Sequence, residues 1–110
     1  MISFVIVYFL FGVLCMYGLK TNLLQAIKEL AEKHKIQKVV LFGSRARGDF
    51  KERSDIDLAV SGGDVVAFTF AVEEETPTLL MFDVINLDKE VQPELIVSIE
   101  KEGVVLYEKI

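Results

Sequence analysis

The sequence predicts an α/β domain, a small mixed sheet flanked by helices. Two observations carry that prediction. Along the 110 residues, apolar side chains recur at helical spacing in some stretches and gather into β-branched or alternating runs in others. The two kinds of stretch follow one another, which is the pattern of helices laid on a sheet. At this length one hydrophobic core is expected and a second domain is not.

The elements follow in order. Thr21 or Asn22 can cap a first helix whose apolar positions Leu23, Leu24, Ile27, Leu30 and Ala31 share a face, with an end near His34 or Lys35. Residues 38–42 form a β-branched and aromatic run closed by Gly43, so a buried strand should run straight into a tight turn. Residues 55–60 alternate strictly, putting Asp55, Asp57 and Ala59 on one face and Ile56, Leu58 and Val60 on the other. Asp64 can cap a helix over 65–74 that Pro77 stops. A third strand is predicted over 79–87, with Met81, Asp83 and Ile85 on one side. Pro93 opens a last helix, Gly103 lies just past its end, and residues 104–107 make a closing strand.

Composition narrows the function. The net charge is −5, and nonspecific affinity for a polyanion rests on Lys and Arg, so general nucleic-acid binding is not expected. The charge is unevenly spread: residues 1–53 hold nine Lys or Arg and four acids, and residues 54–110 three Lys and thirteen acids, for +5 and −10. A basic segment from Arg45 to Arg53 facing carboxylates suits a bound anion together with cations, and solvated surface charge would satisfy the same counts. One cysteine, Cys15, excludes an internal disulfide framework and a Cys-rich zinc site, in keeping with a cytoplasmic protein. Glu73, Glu74 and Glu75 read as a solvated run, and His34, the one histidine, as a surface or helix-end residue.

Residues 1–19 read as an apolar extension to a domain over 20–110. Positions 2–19 carry no charge, and three readings compete for them. The stretch could cross or lie on a membrane as a helix. It could be a secretory signal, although it lacks a basic n-region. Or the start is misassigned and the chain opens at Met16 with MYGLKTNLLQAIKEL.

The segment GSRARGDFKERSDID, residues 43–57, carries the chemistry. Carboxylates two apart on a strand point the same way, so Asp55 and Asp57 can share a metal pair while leaving positions open to phosphate oxygens and water. Two cations stabilise the attacking and leaving oxygens of a phosphoryl displacement together, and magnesium prefers such oxygen ligands. Asp83, on a neighbouring strand, would complete the second site or accept a proton. Gly43 lets the backbone approach a phosphate, and Ser44 adds a hydroxyl and an N–H. Arg45 and Arg47 could pair with phosphate oxygens or with nearby acids.

These residues resemble a known group. Gly-Ser, ten residues, then Asp-x-Asp is the signature of the polymerase-beta-like nucleotidyltransferase superfamily. The Arg-Ala-Arg-Gly-Asp continuation, the FDVIN strand and the closing EGVVLYE resemble its minimal nucleotidyltransferases. The resemblance covers residues 16–109. It implies a nucleotide-binding role for Gly43 and Ser44, a catalytic metal role for Asp55, Asp57 and Asp83, two Mg2+ ions, and ATP as substrate. It further implies an antitoxin that transfers AMP to a tyrosine of a HEPN-domain ribonuclease toxin. Two other functions stay open: neutralising a toxin by sequestration without catalysis, and transfer to a small molecule or RNA with help from another subunit.

Overall fold

The computed structural model describes residues 15–110, and the helical readings of residues 1–14 fall outside it. The described chain opens with a hairpin of β1 (Cys15–Met16) and β2 (Leu19–Lys20), turned by Tyr17 and Gly18 at φ 58° and 70°. Tyr17 and Leu19 pack on the domain, and Leu19 is only 1% exposed, so the domain takes in residues that the sequence assigned to the extension. No described helix is long and apolar enough to cross a membrane.

Helix α1 (Thr21–Lys33) follows directly on β2. Lys20, still extended, is therefore its N-cap and Thr21 is already helical, whereas the sequence put the cap at Thr21 or Asn22. Leu23, Ile27, Leu30 and Ala31 are buried as their spacing requires. At the other end the Ile36 N–H donates to Ala31 O at 2.8 Å and the Lys35 N–H to Glu32 O at 3.1 Å. That is a Schellman closure with lysine, φ 58°, in the left-handed position that glycine usually takes.

Among the described residues four strands make the main sheet. β3 (Lys38–Phe42) is antiparallel to β4 (Ile56–Ser61) and to β6 (Val104–Glu108), and β4 is parallel to β5 (Phe82–Asn86). A parallel pair needs a crossover. Helix α3 (Val65–Glu75) supplies it, with the Asp64 carboxylate accepting from the Ala67 N–H at 3.1 Å as the N-cap.

Both faces of the sheet are covered. Val39, Leu41, Ile56, Leu58 and Val60 pack with α1 and α3, and Val40, Phe42 and Ala59 pack on the other face with Ile99 of α4 (Pro93–Glu102). This is why β3 reads as one continuous apolar run. Gly103 closes α4 with φ −68°, and smallness is its value there, since a Cβ would press on Val40 and on the Ile99 carbonyl. The short helix α2 (Gly43–Arg47) caps the end of β3.

One strand is shorter than its sequence suggests. Residues 79–81 precede β5, with Leu79 and Met81 exposed, because pairing can begin only where β4 offers a partner, at the Ile56 N–H to Met81 O bond of 2.9 Å.

The end of α1 rests on the turn before α3: Asp64 N–H donates to His34 O at 3.1 Å, and a Cβ on Gly63, φ 68°, would strike the Lys35 carbonyl. Replacing Lys35 by glycine should stabilise the fold by about 1 kcal/mol, because left-handed backbone costs an L-residue roughly 1–2 kcal/mol, partly offset by glycine's chain entropy. Gly63→Ala should destabilise it by about 2 kcal/mol or more. Urea unfolding followed by circular dichroism measures both, and a Lys35→Gly chain weaker than its parent would contradict this account of the turn.

Candidate active site

The register of three strands builds one row. Phe42 of β3 pairs with Asp57 of β4, and Asp57 pairs with Asp83 of β5. Residues directly opposite across a sheet share a face, so these three project together beside α2. Asp55 stands just before β4 and two residues from Asp57, although the sequence counted it within the strand. Asp57 is half-buried, and Asp55 and Asp83 are exposed.

Gly43 is held against Asp57. Its φ is 75°, and a Cβ built on it would run into the Asp57 carboxylate. No other residue fits both the dihedral and the space. The sequence reason for this glycine, close backbone approach, thus has a second partner besides a phosphate: the carboxylate itself. Ser44 follows, half-buried, in the first turn of α2.

Burial raises the Asp57 pKa above the ordinary carboxylate value, and the negative charges of Asp83 and then Asp55 raise it further, against an opposing pull from Arg47 and Arg45. Asp57 therefore feels the charge of both of the other acids. Among the described residues no group of three or more His, Cys, Asp or Glu side chains forms a ready-made cation site. Carboxylates are the ligand type that a hard divalent ion takes, together with oxygens of a substrate and of water.

Arg45 departs from the phosphate contact that its position suggested. It is 1% exposed. Its Nε and Nη2 donate to Ser54 O at 3.1 and 2.9 Å, Nη2 also to Glu52 O at 3.3 Å, and Nη1 to Tyr17 O at 3.2 Å and Gly18 O at 3.3 Å. The Phe50 ring lies beneath the guanidinium, 4.9 Å from centroid to Cζ. Arg47 is exposed. It meets acids instead, its Nε donating to Asp49 Oδ2 at 3.3 Å and its Nη1 to both Glu102 oxygens at 3.3 Å, which ties α2 to α4. Phe50, Tyr17, Gly18 and Glu102 escaped the sequence reading as parts of this neighbourhood.

Comparison with known proteins bears on the family and on the fold. The family model described as Polymerase beta, Nucleotidyltransferase matches residues 25–110. Two chains of Methanocaldococcus jannaschii that carry the name protein adenylyltransferase are similar. MJ0604 is 39% identical over 67 residues, 56% of this chain and 65% of its own length. MJ1215 is 54% identical over 33 residues, 30% of this chain and 38% of its own length. The matched part of this chain thus spans less than two thirds of either relative. In fold it resembles a chain of a toxin–antitoxin crystal structure with AMP-PNP, at TM-score 0.60 and 24% identity over 78% of this chain and 73% of that one. It resembles equally, at TM-score 0.60, 22% identity and the same coverages, a chain of a mutant toxin–antitoxin MntA-HpeT.

An acid with a higher pKa folded than unfolded binds its proton more tightly in the native state. Its contribution to stability is present below the unfolded value and lost as pH rises through the folded one. At pH 7 Asp57 is therefore a cost to the fold. Asp57→Asn should melt at a higher temperature than the parent at pH 7 without divalent cations, and the gap should close below about pH 4, the ordinary aspartate range. A variant that melts lower at pH 7 would remove the repulsion from this description.

Proposed function

The chain belongs to the polymerase beta nucleotidyltransferase family, and on that footing we propose that it transfers AMP from ATP to a tyrosine hydroxyl of a HEPN-type ribonuclease toxin and so acts as its antitoxin. The observation that carries the catalytic part is the row itself: a glycine that only backbone can occupy, pressed on Asp57, with Asp83 directly beside it.

Asp55, Asp57 and Asp83 would hold magnesium, which when bound neutralises charge on the phosphoryl oxygens and on the departing group. Gly43 and Ser44 present backbone and hydroxyl to the triphosphate. The acceptor oxygen bonds to the α-phosphorus, the bond from that phosphorus to the bridging oxygen breaks, and pyrophosphate leaves with the electron pair. The proton of the acceptor hydroxyl passes to Asp83 or to water. Arg47, exposed and held by carboxylates beside α2, contributes positive charge to the surroundings of Asp57.

The protein acceptor is supported by the names of the M. jannaschii relatives, and the toxin partner by the assemblies in which chains of this fold occur. A second reading, sequestration of the toxin without catalysis, is favoured by apolar side chains turned outward on α3, Val66 and Phe70, which are 55% and 60% exposed.

Incubation of the chain with α-labelled ATP, magnesium and a HEPN-type toxin that it neutralises should label that toxin. EDTA should stop the reaction and magnesium restore it. Asp55→Asn together with Asp57→Asn should lower the rate by about 10³-fold or more, the scale on which loss of a transition-state contact registers. Labelling that survives in the double variant would end the catalytic reading. Full protection by that variant with no labelling at all would install sequestration in its place.

A further inference from the structure

Arg45 carries a charge into a place where water hardly reaches it, and four backbone carbonyls are among the groups that meet it. Two belong to the hairpin turn, Tyr17 and Gly18, and two to the loop before β4, Glu52 and Ser54. A guanidinium has five N–H donors in a rigid planar fork, and five contacts run from it here. Lysine offers neither the plane nor the reach to two separate segments.

The loop it grips is also shaped from within. The Ser54 N–H donates to Lys51 O at 3.1 Å and the Lys51 N–H to Ser54 Oγ at 2.8 Å, closing a turn whose last carbonyl is the one that Arg45 holds twice. Asp55 is the next residue. Gly18 completes the clasp from the other side, since a Cβ there would collide with the Phe50 ring and stand 2.6 Å from Arg45 Nη1.

We propose that Arg45 is a positioning residue: by binding the residue 17–18 turn and the 52–54 carbonyls at once, it fixes the loop that delivers Asp55 to the metal site and makes the N-terminal hairpin part of that site's support. The proposal rests on the family reading only in naming Asp55 a metal ligand. The physical claim, that the loop is held from the hairpin through one guanidinium, is independent of the acceptor. Arg45 itself touches no reacting atom.

The test uses the full chain. Lys51 and Arg53 are exposed tryptic sites within the gripped loop. Arg45→Lys should keep its helical circular dichroism, be cut after Lys51 and Arg53 about 10-fold or more faster than the parent, and bind Mn2+, followed by its electron paramagnetic resonance signal, about 10- to 100-fold more weakly, the usual cost of losing an outer support of a ligand. Asp64→Ala, which removes a helix cap remote from the loop, should leave cleavage and Mn2+ binding as they are and serves as the control for general weakening. Should Arg45→Lys fail to fold, Phe50→Leu, which withdraws the ring and keeps the fork, must show the same two changes in smaller measure. Parent-like protease resistance together with parent-like Mn2+ binding, in whichever variant folds, overturns the proposal. Because neither readout involves AMP transfer, a failed labelling experiment leaves it standing, and its own failure leaves the assignment of the aspartates untouched.

Discussion

A one-residue slip of β4 against its neighbours would send Asp57 to the opposite face of the sheet, and everything that makes this surface chemically interesting would go with it. What forbids the slip is hydrophobic burial on both sides. Ile56, Leu58 and Val60 are fully buried among α1 and α3, and Ala59, also fully buried, faces α4. Because side chains alternate along a strand, moving these four by one position would exchange the small residue for the large ones on each face. The core thus sets where the carboxylates stand. Asp57 works against it, its proton affinity raised by burial and by its acidic neighbours.

A site that repels itself needs supports that lie outside it. Two are visible on either side of α2. Arg47 bridges to Glu102 at the end of α4 through one partly exposed ion pair, an arrangement of small energetic worth in water. Arg45, two residues earlier and so on the opposite side of the helix, is buried and holds backbone on two segments, and burial makes each of its contacts count for more. The same short helix therefore carries one arginine for the surface and one for the interior.

Much of this was legible in the sequence. Alternation over residues 55–60 gave β4 and its two faces, the Asp64 cap and Pro93 start marked α3 and α4 where they lie, and the spacing from Gly43 to Asp57 singled out two residues that the fold sets against each other. Other features were hidden for physical reasons. The length of β5 is decided by its partner, since an edge strand ends where β4 stops offering hydrogen bonds, whatever the apolar character of Leu79 to Met81. The cap of α1 shifted because β2 feeds the helix without an intervening turn. Arg45 was misread for a subtler reason. Its partners are carbonyl oxygens, which every residue carries, so Tyr17, Gly18, Glu52 and Ser54 bear no mark of the role. A pairing with an acid could have been suspected from composition, and a pairing with the main chain could not.

The position of β5 at the rim of the sheet has a consequence for how a large molecule would come in. Phe42 and Asp57 lie on strands with neighbours on both flanks, whereas Asp83 stands on the outermost strand of the row. Among the described residues, the acids thus have strands beside them toward the middle of the sheet and none beyond Asp83. A bulky visitor can slide alongside that margin and offer a side chain laterally, without any strand having to part. Entry of this kind asks for a protruding residue on the visitor and for no hinge in the host.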